Sequence, residues 1–219
     1  SYSKDNFNTN LAGDGAFICQ NSWGDNFGEN GFFYISYYDT NIGTHNVVYT
    51  DIENTDNYDH IYQSDLCGWV GQLGYNKDSI YGANVFTAEG NETLKAASFY
   101  ATGKDSQYEL YVVRQFADES SLEKMIPVAS GKLGNAGYYT VDFNQGIEVD
   151  AGERYAVVLH IITPGSVHPM AIEYAADEAT ENVDLDDGES YISVNGSKWV
   201  SVDTVEKSNL CIKAFSDNR

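Results

Sequence analysis

The segment RYAVVLHII, residues 154–162, is apolar almost from end to end. A strand with one face in water alternates apolar and polar residues, whereas a strand covered on both faces is apolar throughout. We therefore predict a central β-strand over 154–162, covered on both faces. His160 interrupts this run, and we predict a hydrogen-bonded core histidine there rather than a catalytic base.

Short β-branched and aromatic runs, separated by Gly- and Asn/Asp-rich turns, lie on both sides of this segment. Only residues 119–124 show a pattern that suits a helical turn. Asn195-Gly196 between two apolar runs predicts a hairpin. Many short strands at this spacing predict an all-β sandwich or barrel. The predicted strands are 15–20, 31–37, 80–87, 93–102, 107–115, 137–143, 154–163, 168–174, 189–194, 198–202 and 209–216.

Composition narrows the class of protein. The 219 residues include 33 Asp and Glu against 12 Lys and Arg, which gives a net charge of −21. This charge repels phosphate backbones and anionic lipid, so we expect no nucleic-acid partner. The sequence contains no apolar run of about 18 residues, so we expect no membrane insertion. Three cysteines, Cys19, Cys67 and Cys211, are too few for a disulfide framework, although a single bridge remains compatible with them.

The chain is predicted to have three parts. Residues 40–66 carry little hydrophobic pattern, so we place a linker at 41–57. It separates an N-terminal piece, 1–40, from a β-domain, 58–219. Forty residues bury too little apolar surface to fold alone, so the N-terminal piece must pack on something else.

The N-terminal piece contains NSWGDNFGENGF, residues 21–32. It resembles the N-S-W-G-x-x-W-G-x-x-G-Y/F region of papain-like cysteine peptidases, the C1 family, with Phe27 in place of the second Trp. In that family an Asn side-chain oxygen orients the catalytic His, which activates a Cys nucleophile. The resemblance implies that Asn21 orients a histidine and that Trp23 shields this hydrogen bond from water. A turn before a core tryptophan is the alternative.

The residues that Asn21 should support do not precede it. In the family the order along the chain is Cys, His, Asn, yet no His precedes Asn21, and Cys19 lies only two residues before it. Residues 1–7 resemble the loop after the family's catalytic His strand. We therefore expect the catalytic Cys and His to lie in an upstream part of the peptidase domain, and this chain alone to have no peptidase activity.

Residues from about 58 onward resemble the lectin-like domain that follows such a peptidase domain in some clostridial-type surface proteins. This resemblance rests on the strand-like residue patterns of five segments: 82–88, 92–100, 108–112, 152–158 and 188–193. It implies an all-β, jelly-roll-like β-sandwich, preceded by the last β-hairpin of a papain-like domain. Carbohydrate binding is implied only by analogy of fold. Trp199 and Tyr191 are the candidate glycan-binding residues, and a packed core position is the alternative for each.

No cofactor is required by this interpretation, but a structural calcium ion is a candidate. Asp184, Asp186, Asp187 and Glu189 place four carboxylates beside Gly188, and Ca²⁺ prefers such hard oxygen ligands. The pattern is not that of an EF-hand, and a solvated acidic loop is the alternative.

The sequence thus predicts the C-terminal part of a secreted or cell-surface cysteine peptidase of a Gram-positive-type bacterium. Its expected partners are the upstream part of the peptidase domain, protein substrates and a cell-wall glycan. The alternative is a non-catalytic carbohydrate- or cell-wall-binding adhesin module with a degenerate peptidase remnant. In a third arrangement, a separate chain supplies the Cys and His after processing.

Overall fold

The computed structural model describes residues 13–43, 47–50 and 52–219, apart from the side chain of Asp203. The predicted loop at 1–7 lies outside the described residues. The chain divides into two compact units, with the break between Glu53 and Asn54.

The first unit holds one antiparallel hairpin. Strand β1 (Ala16–Gln20) pairs with β2 (Phe32–Ser36), and Cys19 lies opposite Phe33. The connection between them requires glycine at one position. Gly28 has φ of +66°, and a Cβ atom there would lie 2.1 Å from the main-chain oxygen of Phe32.

The second unit consists of strands that form three sheets. These strands are β3 (His60–Tyr62), β4 (Gly71–Leu73), β5 (Ser79–Thr87), β6 (Glu92–Ala101), β7 (Ser106–Val113), β8 (Ile126–Leu133), β9 (Gly137–Val149), β10 (Arg154–Ile162), β11 (Met170–Glu173), β12 (Glu189–Ser193), β13 (Val200–Ser201), β14 (Asn209–Leu210) and β15 (Ile212–Asn218).

The order in the largest sheet is β13-β12-β5-β10-β7-β8, and the second sheet has the order β3-β15-β6-β9. A small third sheet has the order β14-β11-β4, and only Cys211 separates β14 from β15 of the second sheet. Successive strands such as β5, β6 and β7 alternate between the two large sheets, so the unit is a jelly-roll-like β-sandwich. The prediction of an all-β fold is confirmed.

The main core fills the space between the sheets and includes Ile80, Phe99, Leu110, Leu159 and Ile212. A second cluster covers the other side of the six-stranded sheet, which we call the outer face. It contains Ala83, Val85, Val113, Phe116, Leu122, Ala156 and Val158. Strand β10 is therefore covered on both faces, as its sequence predicted, and residues Tyr155–Leu159 are buried.

Within the described part of the chain, the only helices are short 3-10 turns, and no helix is long and apolar enough to cross a membrane. One 3-10 helix, Glu119–Glu123, lies where the helical turn was predicted, and the Asp118 side chain caps it. The predicted hairpin at Asn195-Gly196 joins β12 to β13, with Gly196 at φ of +75°. All three cysteines are free thiols.

Candidate functional sites

The hairpin holds the Asn21 amide in one orientation. Its Nδ2 donates a hydrogen bond to the main-chain oxygen of Gly31 at 2.7 Å, and its Oδ1 accepts the Trp23 N–H at 2.5 Å. An amide oxygen has two lone pairs, so Oδ1 can accept a second hydrogen bond. This geometry is compatible with the orienting role that the resemblance implies for Asn21.

Trp23 lies beside Asn21 with 77% of its surface exposed. Its ring meets Phe27 edge-on at 5.2 Å between centroids, and Phe27 meets Phe33 in the same way at 5.5 Å. Exposed apolar side chains continue along both strands, with Ile18 exposed at 66%. The hairpin therefore presents an apolar surface that the described residues of its own unit do not cover.

The four carboxylates predicted for calcium do not converge. Asp186 pairs with Lys207 at 2.8 Å, and Glu189 binds Arg154 and the Tyr191 hydroxyl. No group of three or more His, Cys, Asp or Glu side chains among residues 13–43, 47–50 and 52–219 is arranged to hold a metal ion.

A different set of oxygens, which we call the Asn209 cluster, includes part of that loop. The Nδ2 of buried Asn209 faces the main-chain oxygens of Ser64 and Asp184, at 2.8 and 2.9 Å. It also faces Glu173 Oε2 at 3.0 Å and Asp187 Oδ1 at 3.3 Å. An amide nitrogen has two hydrogens, so it cannot satisfy four acceptors at once. Sequence reasoning missed Glu173 and Asn209, because two strands that are distant along the chain, β11 and β14, bring them together.

The Asn209 cluster brings two carboxylates, those of Glu173 and Asp187, close together. Burial, and then the neighbouring carboxylate of Asp184, raise the pKa of Asp187. The second oxygen of Glu173 accepts the Cys67 N–H. The Ser64 hydroxyl is buried in the same region and has no hydrogen-bond partner. Turning the Asn209 amide over would place a fifth oxygen among the other four, which is a donor set that suits Ca²⁺.

The outer face carries a polar row across three strands. Tyr81 on β5, His160 on β10 and Glu109 on β7 lie directly opposite one another. His160 Nδ1 is 2.7 Å from Glu109 Oε2, and its Nε2 is 2.9 Å from the Ser79 hydroxyl. The Tyr81 ring stacks on the imidazole with 3.9 Å between centroids. The hydrogen bond from His160 lowers the pKa of Glu109.

A cavity of about 440 Å³ opens beside this row. Its lining residues are Gln107, Tyr108, Glu109, Ser130, Gly131, Lys132, His160 and Ile162. His160 is therefore hydrogen-bonded, as predicted, but it belongs to a polar row at the edge of a cavity rather than to the apolar core.

The two predicted glycan-binding residues lie on the same outer face, against the second cluster. Tyr191 donates to Glu189 at 2.9 Å, and its ring lies 5.8 Å from Phe116. Trp199 meets Tyr81 edge-on at 6.4 Å. Neither residue lines the cavity.

Comparison with known proteins agrees with this architecture. The chain is similar to a variant of the clostridial cysteine protease Cwp84 after propeptide cleavage, with 27% identity and a TM-score of 0.79. A crystal structure of the cysteine protease and lectin-like domains of Cwp84, a surface layer associated protein of Clostridium difficile, has 23% identity and a TM-score of 0.73. The chain is covered completely in both comparisons but spans only 55% and 50% of those chains.

No curated protein matches the chain. The model of one family, described as the lectin-like domain, matches residues 61–216 and so covers nearly all of the sandwich. These matches confirm the predicted resemblance to the lectin-like module of a clostridial-type cysteine peptidase. On the strength of the family model, this chain belongs to the lectin-like domain family.

Proposed function

We propose that this chain is part of a cell-surface cysteine peptidase, in which the β1–β2 hairpin completes the peptidase domain and the sandwich positions the enzyme. The observation that supports this proposal best is the hairpin itself. A two-stranded hairpin is at best marginally stable in water, and this one exposes Trp23 and Ile18. Such a surface requires a partner, and the remainder of a papain-like domain is the partner that the motif at 21–32 specifies.

In this role Asn21 acts as a positioning residue. Its Oδ1 would accept the N–H of a histidine from the upstream part of the domain and hold the imidazole in the tautomer that deprotonates a cysteine. The hydrogen bond from Nδ2 to the Gly31 oxygen supports this role, because it would leave Oδ1 as the end of the amide that faces the histidine. Trp23 would exclude water from that hydrogen bond and so strengthen it.

Peptide hydrolysis by the protein extended upstream through a cysteine and a histidine tests this proposal. We expect activity in the extended protein and none in residues 1–219 alone, where Cys67→Ala should change nothing. Asn21→Ala should lower kcat by about 10²-fold, because a misplaced histidine reacts slowly. Asn26→Ala on the exposed turn is the matched control. An extended protein with Ser or Ala in place of the cysteine would instead support the adhesin alternative.

We also propose that the Asn209 cluster holds a structural calcium ion in the sandwich. The donors would be the main-chain oxygens of Ser64 and Asp184 together with side-chain oxygens of Glu173, Asp187 and Asn209. Calcium would neutralise the excess negative charge and satisfy oxygens that the amide hydrogens cannot. Asp184 and Asp187 remain from the set predicted by sequence, and Asp186 and Glu189 are replaced.

A further inference from the structure

Three polar side chains on the outer face are linked by hydrogen bonds in a fixed order. The Ser79 hydroxyl lies 2.9 Å from His160 Nε2, and Glu109 Oε2 lies 2.7 Å from His160 Nδ1. An ionised carboxylate only accepts hydrogen bonds, so in the neutral imidazole the proton is on Nδ1, and Nε2 accepts the Ser79 O–H. Hydroxyl, imidazole and carboxylate in this order form the arrangement that activates a serine as a nucleophile.

The fold holds the imidazole of His160 in this orientation. The Tyr81 ring is parallel to it, with 3.9 Å between centroids, and only 13% of the His160 side chain is exposed. The Tyr111 hydroxyl donates to Glu109 Oε2 at 3.0 Å, and this is the same oxygen that faces His160. His160 is therefore aligned with Ser79 before any substrate binds, which lowers the entropic cost of a reaction.

Strand register directs the main-chain N–H of Ser79 to a position where it can stabilise negative charge. The Thr163 N–H donates to the Asp78 oxygen, so these residues form a hydrogen-bonded pair. The next pair, Ser79 and Ile162, is then non-hydrogen-bonded, and its N–H groups point away from the partner strand. On that other side, the pairing of β5 with β12 stops two residues short of Ser79. An N–H at the nucleophile is a donor for the oxyanion of a tetrahedral intermediate.

A cavity adjoins the serine. The side chains of a non-hydrogen-bonded pair lie close together, so Ser79 is next to Ile162. Ile162 and His160 both line the cavity of about 440 Å³ on the outer face. This volume suits a small molecule, and Ile162 supplies an apolar wall for a short acyl chain. Ser79 itself is partly exposed, so a substrate in the cavity can reach its hydroxyl.

We propose that Ser79, His160 and Glu109 form a second hydrolytic site, which cleaves esters of short-chain carboxylic acids. Ser79 Oγ attacks the ester carbonyl while His160 Nε2 takes the hydroxyl proton. The C–O bond to the alcohol then breaks, and His160 returns the proton to the leaving oxygen. Water attacks the acyl-serine with His160 as the base, which releases the acid and restores Ser79. Glu109 is a positioning residue that keeps the proton of the resting imidazole on Nδ1.

The leaving group selects the class of substrate. An alcohol leaves a tetrahedral intermediate more easily than an amine does, so an ester needs less assistance than a peptide bond. This proposal makes His160 a general base, whereas the sequence favoured a hydrogen-bonded core histidine. It goes beyond the proposed function, because the peptidase would use a cysteine and a histidine from the upstream part of its domain.

Covalent labelling of residues 1–219 tests the nucleophile directly. An activated serine displaces fluoride from the phosphorus of a fluorophosphonate, and peptide mass mapping then assigns the added mass to one residue. We expect the label on Ser79, together with hydrolysis of p-nitrophenyl acetate and butyrate. Ser79→Ala should lose the label and reduce hydrolysis to background. His160→Asn should lower both rates by about 10²-fold, because it removes the general base.

Glu109→Gln tests the positioning role. The amide can donate to Nδ1 and so favours the wrong tautomer of His160. We expect kcat to fall by about 10-fold or more while KM stays nearly unchanged. A merely structural role of Glu109 would instead lower Tm in proportion to the loss of activity, so scanning calorimetry accompanies the kinetics.

Ser166→Ala is the matched control. Ser166 is also partly exposed, but its hydroxyl accepts the main-chain N–H of His168 instead of facing an imidazole. This variant should keep both the label and the rate of hydrolysis. A label on another residue, no label at all, or equal hydrolysis in Ser79→Ala and Ser166→Ala would overturn the proposal. Mapping of the label in the parent protein gives the answer even where a variant fails to fold.

Failure of this inference can be distinguished from failure of the proposed function. Iodoacetamide should block peptide hydrolysis by the extended protein and leave ester hydrolysis unchanged, whereas Ser79→Ala should do the opposite. The label on Ser79 should also persist in Asn21→Ala.

Discussion

Four oxygen atoms lie within hydrogen-bonding distance of one nitrogen atom, the Nδ2 of Asn209. We expect CaCl₂ at about a hundredfold excess over Kd to stabilise the sandwich by about 2.7 kcal/mol, which raises Tm by about 5–10 °C. Asp187→Asn should abolish most of this shift, since it removes one negative charge from the cluster without disturbing the core. Differential scanning calorimetry measures both effects. An equal shift with MgCl₂, or in Asp187→Asn, would contradict the calcium proposal.

The second prediction at the scale of one residue concerns the pKa of Glu92. Burial alone would raise its pKa, but hydrogen bonds from the Ser216 hydroxyl at 2.6 Å, the Tyr62 hydroxyl at 2.8 Å and the Gly90 N–H outweigh burial and lower the pKa below its ordinary value. A lowered pKa means that the ionised form stabilises the fold. This stability is present above the unfolded-state pKa and is lost as pH falls through the folded-state pKa.

We therefore expect Glu92→Gln to lower the free energy of unfolding by about 1–3 kcal/mol at pH 7. It should also make stability less dependent on pH below about 4.3, the unfolded-state pKa of Glu. Urea unfolding at several pH values measures both effects. A variant with the same slope against pH as the parent protein would show that Glu92 does not contribute to acid unfolding.

At the scale of elements, we expect the β1–β2 turn to tolerate a substitution at Gly24 better than a substitution at Gly28. Gly28 and Gly24 both have positive φ, +66° and +91°, so alanine at either position costs backbone energy. Only at Gly28 would the added Cβ meet main-chain oxygen, at 2.1 Å, whereas nothing lies within 4 Å at Gly24. Gly28→Ala should expose the β1 and β2 amides to hydrogen exchange far more than Gly24→Ala. Equal exchange in both variants would mean that the turn relaxes.

Strand β10 gives the second prediction for an element. Leu159 is 1% exposed and lies in the main core between the two sheets. Leu159→Ala should lower the free energy of unfolding by about 2–5 kcal/mol, because it removes buried methyl groups and leaves a cavity. Val167→Ala, at a position 52% exposed, should change it by less than about 0.5 kcal/mol. Urea unfolding of both variants measures the difference.

Comparison of the predicted with the observed strands shows which elements could be predicted from the sequence. Strong apolar runs such as 154–162 and 80–87 predicted strands that end within one residue of those observed, because burial on both faces leaves a local signal. Strand β8 was missed. It contains Pro127 and Gly131, and its burial does not alternate, which an edge strand tolerates because one side needs no ladder hydrogen bonds. The short strands β3 and β4 carry too few residues for any period.

The candidate sites were less predictable than the strands for a physical reason. The Asn21 hairpin is a local motif, so its residues could be named from consecutive sequence. The Asn209 cluster joins Ser64 to Asn209, which are 145 positions apart, and the row from Tyr81 to Glu109 depends on strand register. Such placement follows from topology, which no local pattern specifies.

For the whole molecule, the net charge of −21 sets the response to salt. Self-repulsion among carboxylates destabilises a compact chain, and the Debye length falls from about 10 Å at 0.1 M to 3 Å at 1 M. We expect Tm to rise by a few degrees between 0.05 and about 0.5 M NaCl. Asp187→Asn should show the same rise, since screening does not depend on the Asn209 cluster. A Tm that falls with NaCl would mean that ion pairs contribute more than repulsion.

The Asn209 cluster also holds a long loop against the strands of the sandwich. Residues 174–188 contain no strand, yet Asp184 and Asp187 bring this long loop against Glu173, Ser64 and Asn209. Bound calcium would hold the loop against the sandwich and make it resistant to proteolysis. When a chelator removes the calcium, a protease would cleave the loop while the sheets are still folded. The lifetime of such a module outside the cell would then follow the calcium content of its surroundings.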